Sequence, residues 1–306
     1  MLTAVLSLSG ALVFGAADFL GGLAAKRIGA ILATAVAALT GCLALLAALP
    51  LIGGEWRPDD VAWGALSGVV NAAAIGLLYA ALAIGPMSIL SPLTAVVSAI
   101  VPMAWGLASG ETLGPLGGWG LAVALVAVVL VGFVPERGAV RPSAKGLALA
   151  LGSGVAVGAF FVIMDQTSDA SGAVPLVMNR SADAAVMFAI AGAVALVGRR
   201  RRAGAGRSAA APARAPSSPS RVDASRRARS VGLRLAVACG LVDVTANLLL
   251  LGGLRSGDLT VAAVLGAMYP AGTILLAAIV LRERIAPVQW AGLVLALAAA
   301  GMLALA

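Results

Sequence analysis

Polar side chains are costly inside a bilayer, so those that fall within long apolar runs are the first candidates for chemistry. Asp18 stands in Phe14-Gly15-Ala16-Ala17-Asp18-Phe19, with Lys26 eight residues further on. A carboxylate in an apolar site can exchange a proton near neutral pH; its other use is to reach interfacial water or pair with a neighbouring helix. Asp243 lies near the centre of a second run, and Asn247 follows one helical turn later on the same face. Asn71 lies near the centre of a third. Side chains of this kind either line a solute cavity or hydrogen-bond two helices together. A fourth run carries Asn179, Arg180 and Asp183 at spacings that put all three on one face. Arg180 can neutralise Asp183 within that helix, or offer its planar fork to a solute carboxylate. Tyr79, Trp105 and Tyr269 are aromatics within runs, able to stack on a solute or to pack and anchor helices.

The elements that position these residues must be membrane helices. Of 306 residues, 61% are hydrophobic and 11% charged. A soluble chain is about half apolar and about a quarter charged, so no soluble fold of this size hides so much apolar surface. That excludes a soluble enzyme, a secreted disulfide scaffold and a disordered protein. Runs of membrane-spanning length fall at 2–24, 30–52, 61–84, 88–109, 116–134, 146–165, 174–197, 231–254, 260–281 and 288–305. Turn residues or charges separate them. Small-residue ladders such as Gly64, Ser67, Gly68 and Asn71 suit close helix contact in lipid. Pro92, Pro102 and Pro270 make the fourth and ninth runs irregular. Glu111 and Glu283 precede helix starts, where the helix dipole favours a carboxylate. Cys42 and Cys239 read as small buried hydrophobes, His is absent, and no metal-ligand spacing, cofactor motif or Walker motif occurs.

The runs repeat. Shifting the sequence by 172 residues puts Gly85 on Gly257, Glu111 on Glu283, Pro115 on Pro287, Gly120 on Gly292 and Asn71 on Asp243. A shift of 143 puts Gly15 on Gly158 and Ala16 on Ala159. Five helices per copy is an odd number, so the copies must enter the membrane in opposite senses, an architecture of secondary transporters. The expectation is an all-α integral membrane protein of ten transmembrane helices in two inverted five-helix repeats. The first repeat is 1–134, a connector follows at 135–145, and the second is 146–306, interrupted by a disordered Arg/Ala/Pro-rich loop at 198–230.

The segments Ala108 to Gly120 and Leu281 to Gly292 resemble the tail motifs of the paired EamA-type domains in the drug/metabolite transporter superfamily. The resemblance implies an alternating-access carrier of small metabolites. The first run is also similar to that of the small multidrug resistance relatives. These carry one acid eight residues before a closing Lys and a Gly three after the acid, here Gly21. It implies that Asp18 trades a proton for substrate, although the acid here is the shorter Asp.

The net charge of +8 belongs to one segment. Residues 198–230 hold ten arginines and one acid, and without them 11 bases face 12 acids. That segment reads as a loop beside anionic membrane lipid, with no nucleic-acid partner. Counting loops by the run they follow, the odd loops hold 17 Lys and Arg and the even loops two, Arg57 and Arg255. The odd loops should then face the cytoplasm and both termini the outside of a plasma-membrane protein. The first run lacks a basic start and is too long for a signal peptide, so it is expected to be retained. The functional expectation is proton-coupled export of a small metabolite or drug-like solute, with no enzymatic activity and no cofactor. The alternatives are a proton-independent exchanger or facilitator, and a non-transporting membrane assembly or lipid-handling protein.

Overall fold

The computed structural model describes residues 1–84, 87–132, 142–205, 219–282 and 284–306. The elements are α1 (Leu2–Ile28), α2 (Ala30–Ile52), α3 (Pro58–Ile84), α4 (Met87–Ala108), α5 (Pro115–Gly132), α6 (Ala144–Asp165), α7 (Val174–Ala205), α8 (Pro219–Arg255), α9 (Leu259–Gly266), α10 (Tyr269–Val280) and α11 (Pro287–Leu305). A 3-10 turn spans Asp169–Ser171. Among the described residues, nine stretches are long and apolar enough to cross a membrane, and Pro92–Ala108 within α4 is a shorter apolar helix.

Local chemistry sets the ends. Gly29 joins α1 to α2 in a single residue at φ +87°, a conformation that glycine adopts without strain. The Ser143 hydroxyl accepts from the Gly146 N–H at 3.1 Å, so α6 starts at Ala144, inside the expected connector. Pro115 and Pro287 open α5 and α11, where a missing N–H costs nothing. The ninth run is broken in two: a turn at Ala267–Met268 separates α9 from α10, and Pro270 sits in the first turn of α10. In the Arg-rich segment, α7 continues to Ala205 and α8 begins at Pro219, so the expected loop is helical at both its edges. Ala and Arg are good helix formers, and a helix already nucleated in the membrane extends at little cost. The intervening residues 206–218 lie outside the described residues.

The packing repeats when α1–α5 is exchanged for α6–α11. α1 lies on α8 as α3 lies on α6; α2 on α8 as α3 on α7; α1 on α10 as α4 on α6. α5 pairs with α11, and α2 with α7, across the exchange itself. Close approaches recur at matching residues. A Cβ added at Gly120 would stand 3.0 Å from Leu303, and one at Gly292 would stand 2.6 Å from the Val131 backbone nitrogen. Gly68 abuts the Asn179 carbonyl and Ala182, while Gly240 abuts the Ala37 carbonyl and Thr40. Without a hydrophobic force between helices in lipid, such backbone contact is what holds them. The inner faces are rich in small residues, among them Ala95, Ala99, Ala124, Ala127, Ala296 and Ala299. Leu39, Leu43 and Leu46 on α2 and Val294 and Leu297 on α11 point outward, exposed as lipid-facing side chains must be.

Candidate functional site

α7 carries the centre of the site. Small residues let α3 and α2 close on it from two sides, Gly68 of α3 against the Asn179 carbonyl and Gly41 of α2 beside the Arg180 stem, so that Arg180 reaches past α2 to α8. The Arg180 guanidinium is held by two carboxylates. Nη2 lies 2.7 Å from Asp243 Oδ2 on α8, and Nη1 lies 3.5 Å from Asp183 Oδ2, one turn along α7. Asn71 Nδ2 on α3 donates to the same Asp183 oxygen at 3.3 Å. Asn247 Nδ2 donates to the Asp243 backbone carbonyl at 2.8 Å, which fixes that turn of α8. One turn back on α7, Asn179 Nδ2 donates to Ser67 Oγ on α3 at 2.8 Å. The Asp183 side chain is 1% exposed, Arg180 8% and Asp243 15%. Arg180 Nε and Asp183 Oδ1 are buried without a hydrogen-bond partner.

Asp18 on α1 faces this network from the other side. Its side chain is exposed, yet Asp243 on α8, Cys239 on α8 and Tyr269 on α10 are all within its electrostatic reach. It stands on the helix that packs against both α8 and α10. The approach of α1 to α10 depends on Gly15, which abuts the Tyr269 carbonyl and Gly272, and Thr273 Oγ1 donates to the Gly15 carbonyl at 3.0 Å. The rings of Phe14 and Tyr269 meet edge to face with centroids 6.0 Å apart.

The family model for EamA-like transporters matches residues 144–305, more than half of the chain. The chain belongs to the EamA-like transporter family. It is a multi-pass membrane transporter of the drug/metabolite type. One solved crystal structure aligns over 99% of this transporter and 98% of its own chain, with a TM-score of 0.71 at 15% identity, a likeness of fold. No curated protein matches it.

Of the site residues expected in this transporter, Asn71, Arg180, Asp183, Asp243 and Asn247 come together, with Asp18 and Tyr269 beside them. The side chain of Tyr79 lies outside the described residues. Trp105 is 49% exposed. The Arg180 fork is engaged by protein carboxylates on both terminal nitrogens, so this conformation shows the neutralising use of Arg180. Two participants are seen only in the fold. Ser67 extends the polar ladder between α3 and α7, and Cys239 sits beside the carboxylates. The signal for Cys239 was present in the repeat, since it stands where Ser67 stands in the first copy.

Glu111 also acts at a distance that sequence does not give. Its carboxylate accepts from the N–H groups of Leu259 at 2.7 Å and Thr260 at 3.1 Å, capping α9 rather than the α5 that follows it in sequence. Glu283 lies outside the described residues. Burial and the Glu111 charge together push the neighbouring Asp258 carboxyl above its usual range. A cavity of about 630 Å³ opens at the end of the bundle, lined by Arg57, Asp59, Asp60, Trp63, Gln166 and Ser168, none of them in the central cluster. There Asp60 accepts from the Ser168 N–H at 2.9 Å and from the Ser171 hydroxyl, so its carboxylate ties loops together. Among the described residues, no group of three His, Cys, Asp or Glu is placed to hold a metal ion.

Proposed function

We propose that this protein is a secondary transporter that works by alternating access between two inverted five-helix halves and couples proton entry to export of a small metabolite or drug-like solute. The observation that carries the reading is the meeting of Asp18, Asn71, Arg180, Asp183 and Asp243, from four helices, inside an apolar bundle whose packing repeats on exchange of its halves. A membrane scaffold has no need of so many ionisable groups there, and each is costly to keep. Asp18 is the proton-carrying group, because it is the exposed carboxylate of the cluster and has no basic partner among the described ion pairs. Asn71, Asp243, Asn247 and Tyr269 line the solute path, with Arg180 and Asp183 behind them. The Lys/Arg bias supports an orientation with the odd loops in the cytoplasm of a plasma-membrane protein.

The test is Asp18→Asn in proteoliposomes, screened against a solute panel with and without an imposed pH gradient. Asn keeps size and hydrogen bonding and removes the titratable proton. The variant should insert and fold but lose proton-driven accumulation. Accumulation against a gradient at the wild-type level would sink Asp18 as the coupling group.

A further inference from the structure

We infer that the solute is an organic cation, and that Arg180 is a resident counter-cation which pairs with Asp243 in this conformation and withdraws to Asp183 when the solute cation takes Asp243. This rests on the transport reading above and adds the substrate class and a role for Arg180. The cluster holds three carboxylates, Asp18, Asp183 and Asp243, against one guanidinium. Arg180 is shared between two of them, and Asp18 has no partner among the described ion pairs. Such an arrangement repels a free carboxylate and accepts a positive charge.

The spare valences point to a second position for the guanidinium. Asp183 Oδ1 and Arg180 Nε are both buried and without partners, on side chains more than nine-tenths buried. The present contact with Asp183 is long, at 3.5 Å, while that with Asp243 is short, at 2.7 Å. A shift of the fork along its own helix would bring Nε and Oδ1 into use and release Asp243 toward Asp18. Asn71 holds Asp183 from α3 throughout, so the receiving carboxylate is fixed in place. Wherever it pairs with Asp243 the guanidinium competes with solute, and the apparent affinity is lowered by the fraction of time Asp243 is taken.

Binding to the full chain in detergent at alkaline pH decides this, with tetraphenylphosphonium and tetraethylammonium as cationic probes and benzoate as the anionic one. Wild type should bind a cation and not benzoate, and Arg180→Gln should bind the cation about tenfold more tightly. Arg180→Lys, which keeps the charge, should bind like wild type. Asp183→Asn, which removes the charge at the second position, should bind about tenfold more weakly and still elute as a monodisperse protein. It gives the answer even where Arg180→Gln does not fold. Unchanged or weaker cation binding by folded Arg180→Gln, or unchanged binding by Asp183→Asn, overturns the counter-cation role. Benzoate binding that disappears in Arg180→Gln makes Arg180 a carboxylate clamp instead. Binding of neither cation by wild type overturns the substrate class, while proton-driven flux of another solute in proteoliposomes would leave the transport reading standing.

Discussion

The exchange that repeats the packing does not repeat the chemistry. On α8, Cys239 and Asp243 stand where α3 has Ser67 and Asn71. On α1, Asp18 stands where α6 has Phe161, buried at 6% exposure. On α7, Arg180 and Asp183 stand where α2 has Ala38 and Gly41, as the matching contacts of Gly68 and Gly240 align them. The repeated features are glycines and small residues at helix crossings, where bulk is forbidden in both copies. Each charge occurs in only one of the two copies, Asp18 in the first and Arg180, Asp183 and Asp243 in the second, because a charge within the bundle is costly and is not kept twice. The repeated part is therefore the packing frame, and the proposed transport site falls where the copies differ.

The largest effects should come from erasing that difference. Asp243→Asn makes α8 like α3 and leaves Arg180 with Asp183 alone. Solute accumulation in proteoliposomes should fall by ~10²-fold, the rate equivalent of ~3 kcal/mol from a broken buried pair. Moving the carboxylate to the matching position with Asn71→Asp in the same chain should not restore it. Asn71 already donates to Asp183 Oδ2, and an Asp there replaces a hydrogen bond with two facing carboxylates. Recovery of transport by the double variant would show that the two positions are functionally equivalent after all.

A smaller effect tests the frame. Gly120 and Gly292 are partners under the exchange but meet different atoms. A Cβ at Gly292 runs into the Val131 backbone nitrogen at 2.6 Å, whereas one at Gly120 meets the end of the Leu303 side chain at 3.0 Å. Leu303 can turn aside and a helix backbone cannot. Gly292→Ala should cost about 1–3 kcal/mol of stability through forced separation of α5 from α11, and Gly120→Ala less than about 1 kcal/mol. Thermal unfolding of the two variants in detergent measures the gap. Equal losses would mean that the α5–α11 seam is as rigid at one end as at the other.

What sequence made legible follows the same division. Apolar length gave the spans, and Gly and Pro gave most of their ends, because these depend on local composition. The 172-residue shift aligned Asn71 with Asp243 and Gly120 with Gly292 before any contact was known. The polar face of α7 was legible from spacing within one helix. Its partners were not, since helical periodicity says which residues share a face and nothing about which helix lies opposite. For the same reason Glu111 was read against the helix that follows it, although its carboxylate caps α9, about 150 residues away. The edges of the Arg-rich segment were misjudged for a different reason: lack of apolar periodicity argues against burial, not against a helix that extends into water.

The smallest effect on transport, and the sharpest on topology, concerns that segment. If the copies are inverted, Lys and Arg must collect on one side in both of them, and the odd loops hold 17 against two. The long loop follows the seventh run, so the charge bias predicts it in the cytoplasm with both termini outside. Ser217 falls outside the described residues and within this loop. A Ser217→Cys reporter should be built in a chain carrying Cys42→Ala and Cys239→Ser, because both native cysteines are free thiols and Cys239 is only partly buried. A membrane-impermeant thiol reagent should fail to label it in intact cells and label it fully after lysis. Deleting 209–215, about half of the residues between α7 and α8, should leave solute accumulation unchanged, because halving a connection alters its closure cost by only about 0.6 kcal/mol. Labelling of Ser217→Cys in intact cells reverses the orientation, putting the seven remaining odd-loop bases outside against two within, which the charge bias opposes.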